Sequence, residues 1–270
     1  MSERVLPQDY HLHTTYSIDG KMTMEEACRE AVRLGLREIC FTEHADYIPY
    51  DEGAGFFDPA AYFADLRRCR EAFDGQLTIR AGTEIGEAHR HVTEADRLTT
   101  SYPFDFVIGS LHWVGSDNAM VPEYFDGKSY QQAYTAYFDE LLTLVMHGGF
   151  DVVGHLDVPK RYAVDRHGQF DPAPLSEPIR AVLRACVERG IGIEINTGTM
   201  RRTGHDPSPS PQVLGWYREL GGEILTIGSD GHRTTQMAHE FDHALSLARQ
   251  AGFSHLTIYE RRIPSFVPLG

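Results

Sequence analysis

With 270 residues, 41% of them hydrophobic, the chain can bury one sizeable α/β core or two small ones. No apolar run reaches about 18 residues, so no membrane-spanning helix is expected. A net charge of −14 argues against a nucleic-acid partner, which needs clustered Lys and Arg.

The chain opens on MSERVLPQDYHLH, which has no apolar segment of the secretory kind, and a cytoplasmic location is expected by default. Asp9–His13 reads as a strand. Thr23–Leu34 reads as a helix, because Met24, Ala27, Cys28, Ala31 and Leu34 recur at the spacing of a one-sided apolar stripe. Further strands are expected at Glu38–His44, Leu77–Ile85, Phe104–His112, Val152–His155, Gly192–Thr197 and Ile224–Asp230. Helices are expected at Pro59–Phe73, His89–Thr99, Tyr130–His147, Leu175–Arg189, Pro211–Leu220 and Thr235–Ala251. A last strand, His255–Tyr259, is expected to close or flank the sheet. The four cysteines (Cys28, Cys40, Cys69, Cys186) form no CxxC pair and read as reduced structural thiols.

Strands alternating with helices of this length build βαβ units around a parallel sheet. Seven or eight units in one domain over residues 1–270 predict a closed barrel, with distortion. An open doubly wound sheet is the alternative, disfavoured because no GxGxxG follows the first strand.

Candidate metal ligands gather where these strands end. The first strand gives His11 and His13, the second His44, the third Glu84, the fourth His112 and the fifth His155. The seventh gives Asp230, with His232 just beyond, and Asp19 follows the first. Barrel enzymes place their chemistry at these carboxyl ends. Residues at i and i+2 of a strand share a face, so His11 and His13 both look into the mouth. Imidazole with carboxylate suits Zn, Mn or Fe, and the absence of Cys ligands argues against a closed structural zinc site. Six histidines with Asp19, Glu84 and Asp230 suffice for two or three divalent ions, with Glu84, from a middle strand, as the natural bridge. His89 and His91 begin an expected helix, where i and i+2 diverge, and are read as solvated. Glu87 is read as a helix N-terminal charge, with an acid that supports the ligands from behind as the alternative.

The segments HLHTTYSIDG (11–20), TEHAD (42–46), GTEIGE (82–87), GSLHW (109–113), GHLD (154–157), EINTG (194–198) and GSDGH (228–232) together resemble the PHP family, named for polymerase and histidinol phosphatase domains. They occur in family order across nearly the whole chain. The resemblance implies a single-domain α/β fold, a distorted (β/α)7 TIM-like barrel, and a trinuclear metal centre. One ion would take His11, His13, Glu84 and Asp230; a second Glu84, His112 and His155; a third Asp19, His44 and His232. Glu84, Asp230 and His232 are the expected catalytic side chains.

EINTGTMRR and GHLDVPKRY look most like the histidinol-phosphatase branch, in which basic residues after these motifs contact phosphate. Here Arg201 fills the first role and Lys160 or Arg161 the second; Ser110 is also near enough to donate to a phosphate oxygen. Arg202 is read as solvated, Trp113 as either a substrate-stacking or a rim aromatic. The implied reaction is metal-assisted hydrolysis of a small phosphate monoester, L-histidinol phosphate first, with a nucleotide, sugar phosphate or phosphotyrosine as the alternative. Asp157 and His205 are the candidates for protonating the leaving group. The expected partner is the small phosphorylated substrate, with neither nucleic acid nor membrane, and a homo-oligomer is left open. A nucleic-acid exonuclease conflicts with the acidic charge, and a vestigial binding module with the complete ligand set.

Overall fold

The computed structural model describes residues 6–203 and 206–269. Its elements run β1 (Leu6–Leu12), α1 (Met24–Leu34), β2 (Leu36–Ala45), α2 (Pro59–Ala72), β3 (Thr78–Gly86), α3 (Val92–Ser101) and β4 (Phe106–Ser110). A short hairpin, β5 (Trp113–Val114) and β6 (Asp117–Asn118), precedes α4 (Tyr130–His147), β7 (Val152–Val153), α5 (Lys160–His167), α6 (Ser176–Arg189) and β8 (Gly192–Asn196). Then come α7 (Met200–Thr203), α8 (Pro211–Glu219), β9 (Leu225–Gly228), α9 (Phe241–Gln250), β10 (His255–Glu260) and β11 (Ile263–Pro268).

Strands β1, β2, β3, β4, β7, β8 and β9 lie side by side in that order as a seven-stranded parallel sheet. The sheet curls until its ends meet. The His13 N–H donates to the Gly231 carbonyl at 2.9 Å and the Gly231 N–H to the His11 carbonyl at 3.3 Å. First strand and last are thereby bridged at the carboxyl-terminal mouth, giving the expected (β/α)7 barrel as one domain. The helices pack outside it through one-sided apolar faces. In α1, Met24, Ala27, Cys28 and Ala31 are buried, a Thr23–Glu26 capping box starts the helix, and Gly35 ends it at φ 76°.

Alternation along the strands fills the barrel in layers. Cys40, Phe106, Ile108 and Val152 form an inner core with Tyr10; further up the same faces stand His44 and Glu84. Strict alternation would put Tyr10 and His11 on opposite faces. A bulge allows both inside: β1 pairs Asp9 with Ile39 but Leu12 with Phe41, so Tyr10 and His11 together oppose Cys40. The extra residue re-aims the chain so that His11 and His13 face the mouth.

The last predicted strand does not extend the sheet. As β10 it pairs antiparallel with β11 and plugs the amino-terminal end of the barrel. The Tyr259 N–H donates to the Tyr10 hydroxyl at 2.9 Å and the Leu225 N–H to Thr257 Oγ1 at 3.1 Å. Three expectations shift. Helix α3 begins at Val92 rather than His89, because the chain after β3 turns through Glu87 at φ 44°. Residues Thr234–Gln236 form a separate 3-10 turn, and α9 begins only at Phe241. Helix α5 lies where no regular structure is expected. Among the described residues, no helix is long and apolar enough to cross a membrane.

Candidate metal centre

The mouth of the barrel brings all nine predicted ligands together, with five of the histidines around the Glu84 carboxylate. Glu84, at the end of β3, is fully buried. Its Oε2 lies 3.2 Å from His11 Nε2, 3.4 Å from His13 Nε2 and 3.0 Å from His44 Nδ1. Its Oε1 lies 2.9 Å from His155 Nε2 and 3.6 Å from His112 Nε2. Asp230 Oδ1 is 3.9 Å from His11 Nε2 and 3.6 Å from His13 Nε2. On the outer side, Asp19 reaches His232 Nε2 at 2.9 Å and His44 Nε2 at 3.7 Å. The His13 ring is stacked between those of His44 and His232, with centroids 4.2 and 4.3 Å away. His155 and Asp230 hold positive φ, 23° and 52°, a conformation costly for residues with side chains and tolerated where surroundings enforce it.

Two groups, each small enough to surround one cation, coincide with or fall within the expected sets: His11, His13 and Asp230; Glu84, His112 and His155. A third, His13, His44 and His232, differs from the expected set by taking His13 in place of Asp19. A fourth, His44, Asp46 and His112, includes a residue the ligand prediction left out. Asp46 stood inside TEHAD without being singled out, because it lies two residues past the strand's own candidate. Gly86 makes room for it: a side chain there would strike Asp46 Oδ1.

The donors fit divalent cations on their own chemistry. His11 Nε2, His13 Nε2, His44 Nδ1, His232 Nε2 and Glu84 Oε2 are buried and, although close to one another or to Asp19, make no well-aligned hydrogen bond, which native proteins avoid unless something else satisfies the atom. All are N or O donors, while the four thiols are buried elsewhere. Burial opposes charge on Glu84, yet His11 and His44 hold it well below the usual carboxylate range. Burial likewise opposes charge on Asp230, overcome by Arg161, His11 and His232. For His44 the penalty of burial is outweighed by Glu84, Asp46 and Asp19, which lift it to about 9. Burial, then the neighbouring His44, His232 and His11, keeps His13 well below the ordinary value. The negative potential that draws protons to some of these rings would draw divalent cations too.

Several supporting carboxylates escaped the sequence reading. Glu194 on β8 meets His11 Nδ1 at 2.6 Å. Glu43 accepts the Ser17 hydroxyl at 2.6 Å, and Ser17 Oγ lies 3.1 Å from His13 Nδ1. Asp9 accepts the Ser229 N–H at 2.9 Å, the Ser229 hydroxyl at 2.6 Å and the Ala238 N–H at 3.0 Å, anchoring the loop that carries Asp230. The available signal was alternation: Glu194 shares a face with Asn196 two residues on. Asp9→Ala is expected to cost ~1–3 kcal/mol of unfolding free energy at pH 5, read by urea unfolding, because three donors lose their acceptor. Burial pushes Asp9 up to about 6, above its ordinary 3.8. Its protonation therefore favours the fold fully below about 3.8, and that contribution is lost as pH rises through about 6. The gap between wild type and variant should narrow accordingly from pH 4 to pH 7.5.

Beside the cluster opens a cavity of about 400 Å³, lined by Asp19, His44, His112, His155, Asp230 and His232 on one side and Met120, Arg161, Tyr162, Arg201, Arg202 and Gln236 on the other. Arg161 stands in its wall, fixed by Thr199 Oγ1 at 2.9 Å, Asn196 Oδ1 at 2.9 Å and Asp230 Oδ2 at 2.6 Å. Lys160 does not reach it. Its ammonium is buried against Asp157 Oδ2 at 3.1 Å and the Pro207 carbonyl at 2.5 Å, since neighbours on a helix point about 100° apart. Ser110 is also turned away, its hydroxyl donating to Glu84 Oε1 at 2.5 Å. Arg201 reaches the cavity wall, but its two Nη groups are committed to the carbonyls of Ser229 and Asp230, both at 2.7 Å.

Other expectations are corrected nearby. Arg202 is exposed, in keeping with its solvated reading, but its guanidinium also lies over the Tyr162 ring at the cavity edge. Asp157 is sealed beneath Ser208, Ser210 and Lys160 and cannot protonate a leaving group; His205 lies outside the described residues. His89 is not solvated but paired with Glu140 at 2.7 Å. Glu87 is no helix-end charge: it is buried under the N–H groups of His112 and Trp113, and burial pushes it up to about 7. Trp113 is held at the rim by Asp51. A larger groove, about 680 Å³, lies at the opposite end of the barrel, where Arg70 and Arg80 are engaged by Asp105, Glu38 and Glu260.

Comparison with known proteins agrees with this arrangement. Residues 9–198 match the PHP domain model. The chain is 31% identical over 257 residues to the histidinol-phosphatase of Lactococcus lactis subsp. lactis, covering 93% of each. It is 30% identical over 259 residues to a probable histidinol-phosphatase of Clostridium acetobutylicum, covering 96% of this chain and 98% of that one. The crystal structure of the L. lactis histidinol phosphate phosphatase, complexed with zinc, L-histidinol and phosphate, superposes with a TM-score of 0.87 at 27% identity, covering 97% of this chain and 100% of that one. A barrel with candidate ligands at six of its seven strand ends, a family model spanning most of those strands and relatives matched almost end to end lead to one assignment: the chain belongs to the PHP domain family.

Proposed function

We propose that the chain is a metal-dependent phosphatase that hydrolyses L-histidinol phosphate to L-histidinol and phosphate, a step of histidine biosynthesis. The observation that carries the reading is Glu84, whose two oxygens divide the histidines into two facing sets beside a cleft that Arg161 lines. The substrate is inferred from the full-length relatives named for it and from the L. lactis enzyme crystallised with zinc, L-histidinol and phosphate.

His11, His13, Glu84 and Asp230 would hold one ion, Glu84, His112 and His155 a second, and Asp19, His44 and His232 a third; zinc, manganese or iron suits the donors. Divalent ions in such sites lower the pKa of water and neutralise the charge of a phosphoryl group. The chain's own residues bind and orient. Arg161 is clamped on three acceptors and so meets a phosphoryl oxygen without first losing side-chain freedom. Arg201 fixes the loop that presents Asp230. Tyr162, Arg202, Met120 and Gln236 form the wall that the organic part of the substrate would meet.

The test is phosphate release from L-histidinol phosphate beside a nucleoside monophosphate, a sugar phosphate and phosphotyrosine. A kcat/KM on the order of a hundredfold higher for histidinol phosphate is expected, as for a pocket built around polar groups of one substrate. Equal efficiencies across the panel would leave a phosphatase of another specificity. Arg161→Ala should lower kcat/KM by roughly 10²–10³-fold, as loss of one preorganised donor does. Lys160→Met should leave kcat/KM nearly unchanged and lower stability by about 3 kcal/mol, because Asp157 loses its buried partner. Steady-state kinetics and urea unfolding of the two variants separate these outcomes.

A further inference from the structure

Strand β8 carries a carboxylate that belongs to none of the ligand sets. Glu194 is 1% exposed and lies behind the cluster. Its Oε1 meets His11 Nδ1 at 2.6 Å. Its Oε2 accepts the main-chain N–H of His155 at 3.0 Å and the Asn196 side-chain amide at 3.0 Å. The barrel leaves room for it at Gly228, where any side chain would strike both Glu194 Oε1 and His11 Cβ.

These contacts act on two histidines by different routes. An imidazole binds a cation through one nitrogen, and the partner of the other nitrogen fixes ring and tautomer. With Nδ1 held by Glu194, the His11 ring aims Nε2 at Glu84 Oε2, 3.2 Å away. His13, the other half of the HxH pair, has only a neutral hydroxyl behind it, Ser17 Oγ at 3.1 Å from Nδ1. At His155 the support is through the main chain. Its φ of 23° is strained, and without Oε2 its buried N–H would lose its acceptor while the ring must still meet Glu84 Oε1 at 2.9 Å. His232 is held independently, its Nδ1 3.0 Å from the Asp230 carbonyl, and neither Asp19 nor His44 touches Glu194.

We propose that Glu194 is a positioning residue that sets the metal affinity of two neighbouring positions at once, the one built on His11, His13, Glu84 and Asp230 and the one built on Glu84, His112 and His155. The position at Asp19, His44 and His232 is independent of it. The inference rests on reading the mouth as a metal centre. The same carboxylate also steadies the cleft, since Asn196 Oδ1 accepts from Arg161 Nη2 at 2.9 Å.

The experiment is zinc titration of the metal-free, full-length protein in competition with a chromophoric chelator, for wild type, Glu194→Gln, Glu194→Ala and Ser17→Ala, with thermal unfolding alongside. In Glu194→Ala two zinc equivalents should bind ~10–100-fold more weakly, the range for loss of a group that orients a ligand, while the remaining binding is unchanged. Glu194→Gln should fall between, because its amide oxygen still accepts but carries no charge; it also carries the test if the Ala variant does not fold. Ser17→Ala should give a smaller shift confined to one equivalent. Isotherms identical to wild type combined with a lowered melting temperature would overturn the proposal, leaving Glu194 a purely structural group. Equal weakening of every equivalent would overturn its selectivity. Absence of zinc uptake by the wild type would overturn the metal-centre reading itself, a distinct result.

Discussion

Glu84→Gln is expected to remain folded, to lose bound metal and to lose turnover by on the order of a thousandfold or more, several kcal/mol of transition-state stabilisation. The expectation follows from where the charge sits. Five imidazoles converge on this one carboxylate, three on Oε2 and two on Oε1. A carboxylate in that place can share a cation with each side, whereas an amide offers one weak oxygen and no charge. The substitution is nearly isosteric, and the Ser110 hydroxyl can still donate to the amide oxygen, so packing is preserved. Metal content by elemental analysis, circular dichroism and kcat are the three readouts. A variant that keeps both metal and activity would show that Glu84 does not join the ion positions.

Stripping the wild-type protein with a chelator should abolish activity, lower the unfolding midpoint and allow recovery on adding back zinc or manganese. An ion that binds only the folded chain stabilises it by ~2.7 kcal/mol when free metal is a hundred times its Kd. Reloading has a signature in protons. The carboxylates around His44 lift it to about 9, so at pH 7 it carries a proton in the metal-free state. That proton must leave before the ring can act as a ligand. Zinc affinity should therefore rise as pH increases from 6 towards 9, and calorimetry in buffers of different ionisation enthalpy should detect proton release. No release, or affinity that falls with pH, would contradict the charge arrangement of the mouth.

The cluster of candidate ligands was legible in the sequence because strand ends carry it. Histidines and acids recur where six of the seven apolar runs stop, and a barrel collects those ends in one place. The HxH pair was legible from alternation, although the bulge that also turns Tyr10 inward was not, since it depends on the register between β1 and β2. The phosphate side was less legible. Lys160 and Arg161 are equivalent as letters and separate only once α5 exists, when the helix sends one into Asp157 and the other into the cleft. Ser110 fits the motif but is consumed by Glu84. The outer carboxylates Glu194, Glu43 and Asp9 are spread through the chain, and their partners are main-chain groups and ring nitrogens that a sequence does not display. His89 and Glu87 were misread for one local reason: the turn after β3 delays α3 to Val92, burying Glu87 and pairing the half-buried His89 with Glu140.

The most direct measurement is anomalous X-ray scattering from crystals of the protein grown with zinc. Peaks are expected within coordination distance of Glu84, between it and His11, His13 and Asp230 on one side and His112 and His155 on the other. A crystal with full zinc signal at surface sites and none beside Glu84 would contradict the metal centre.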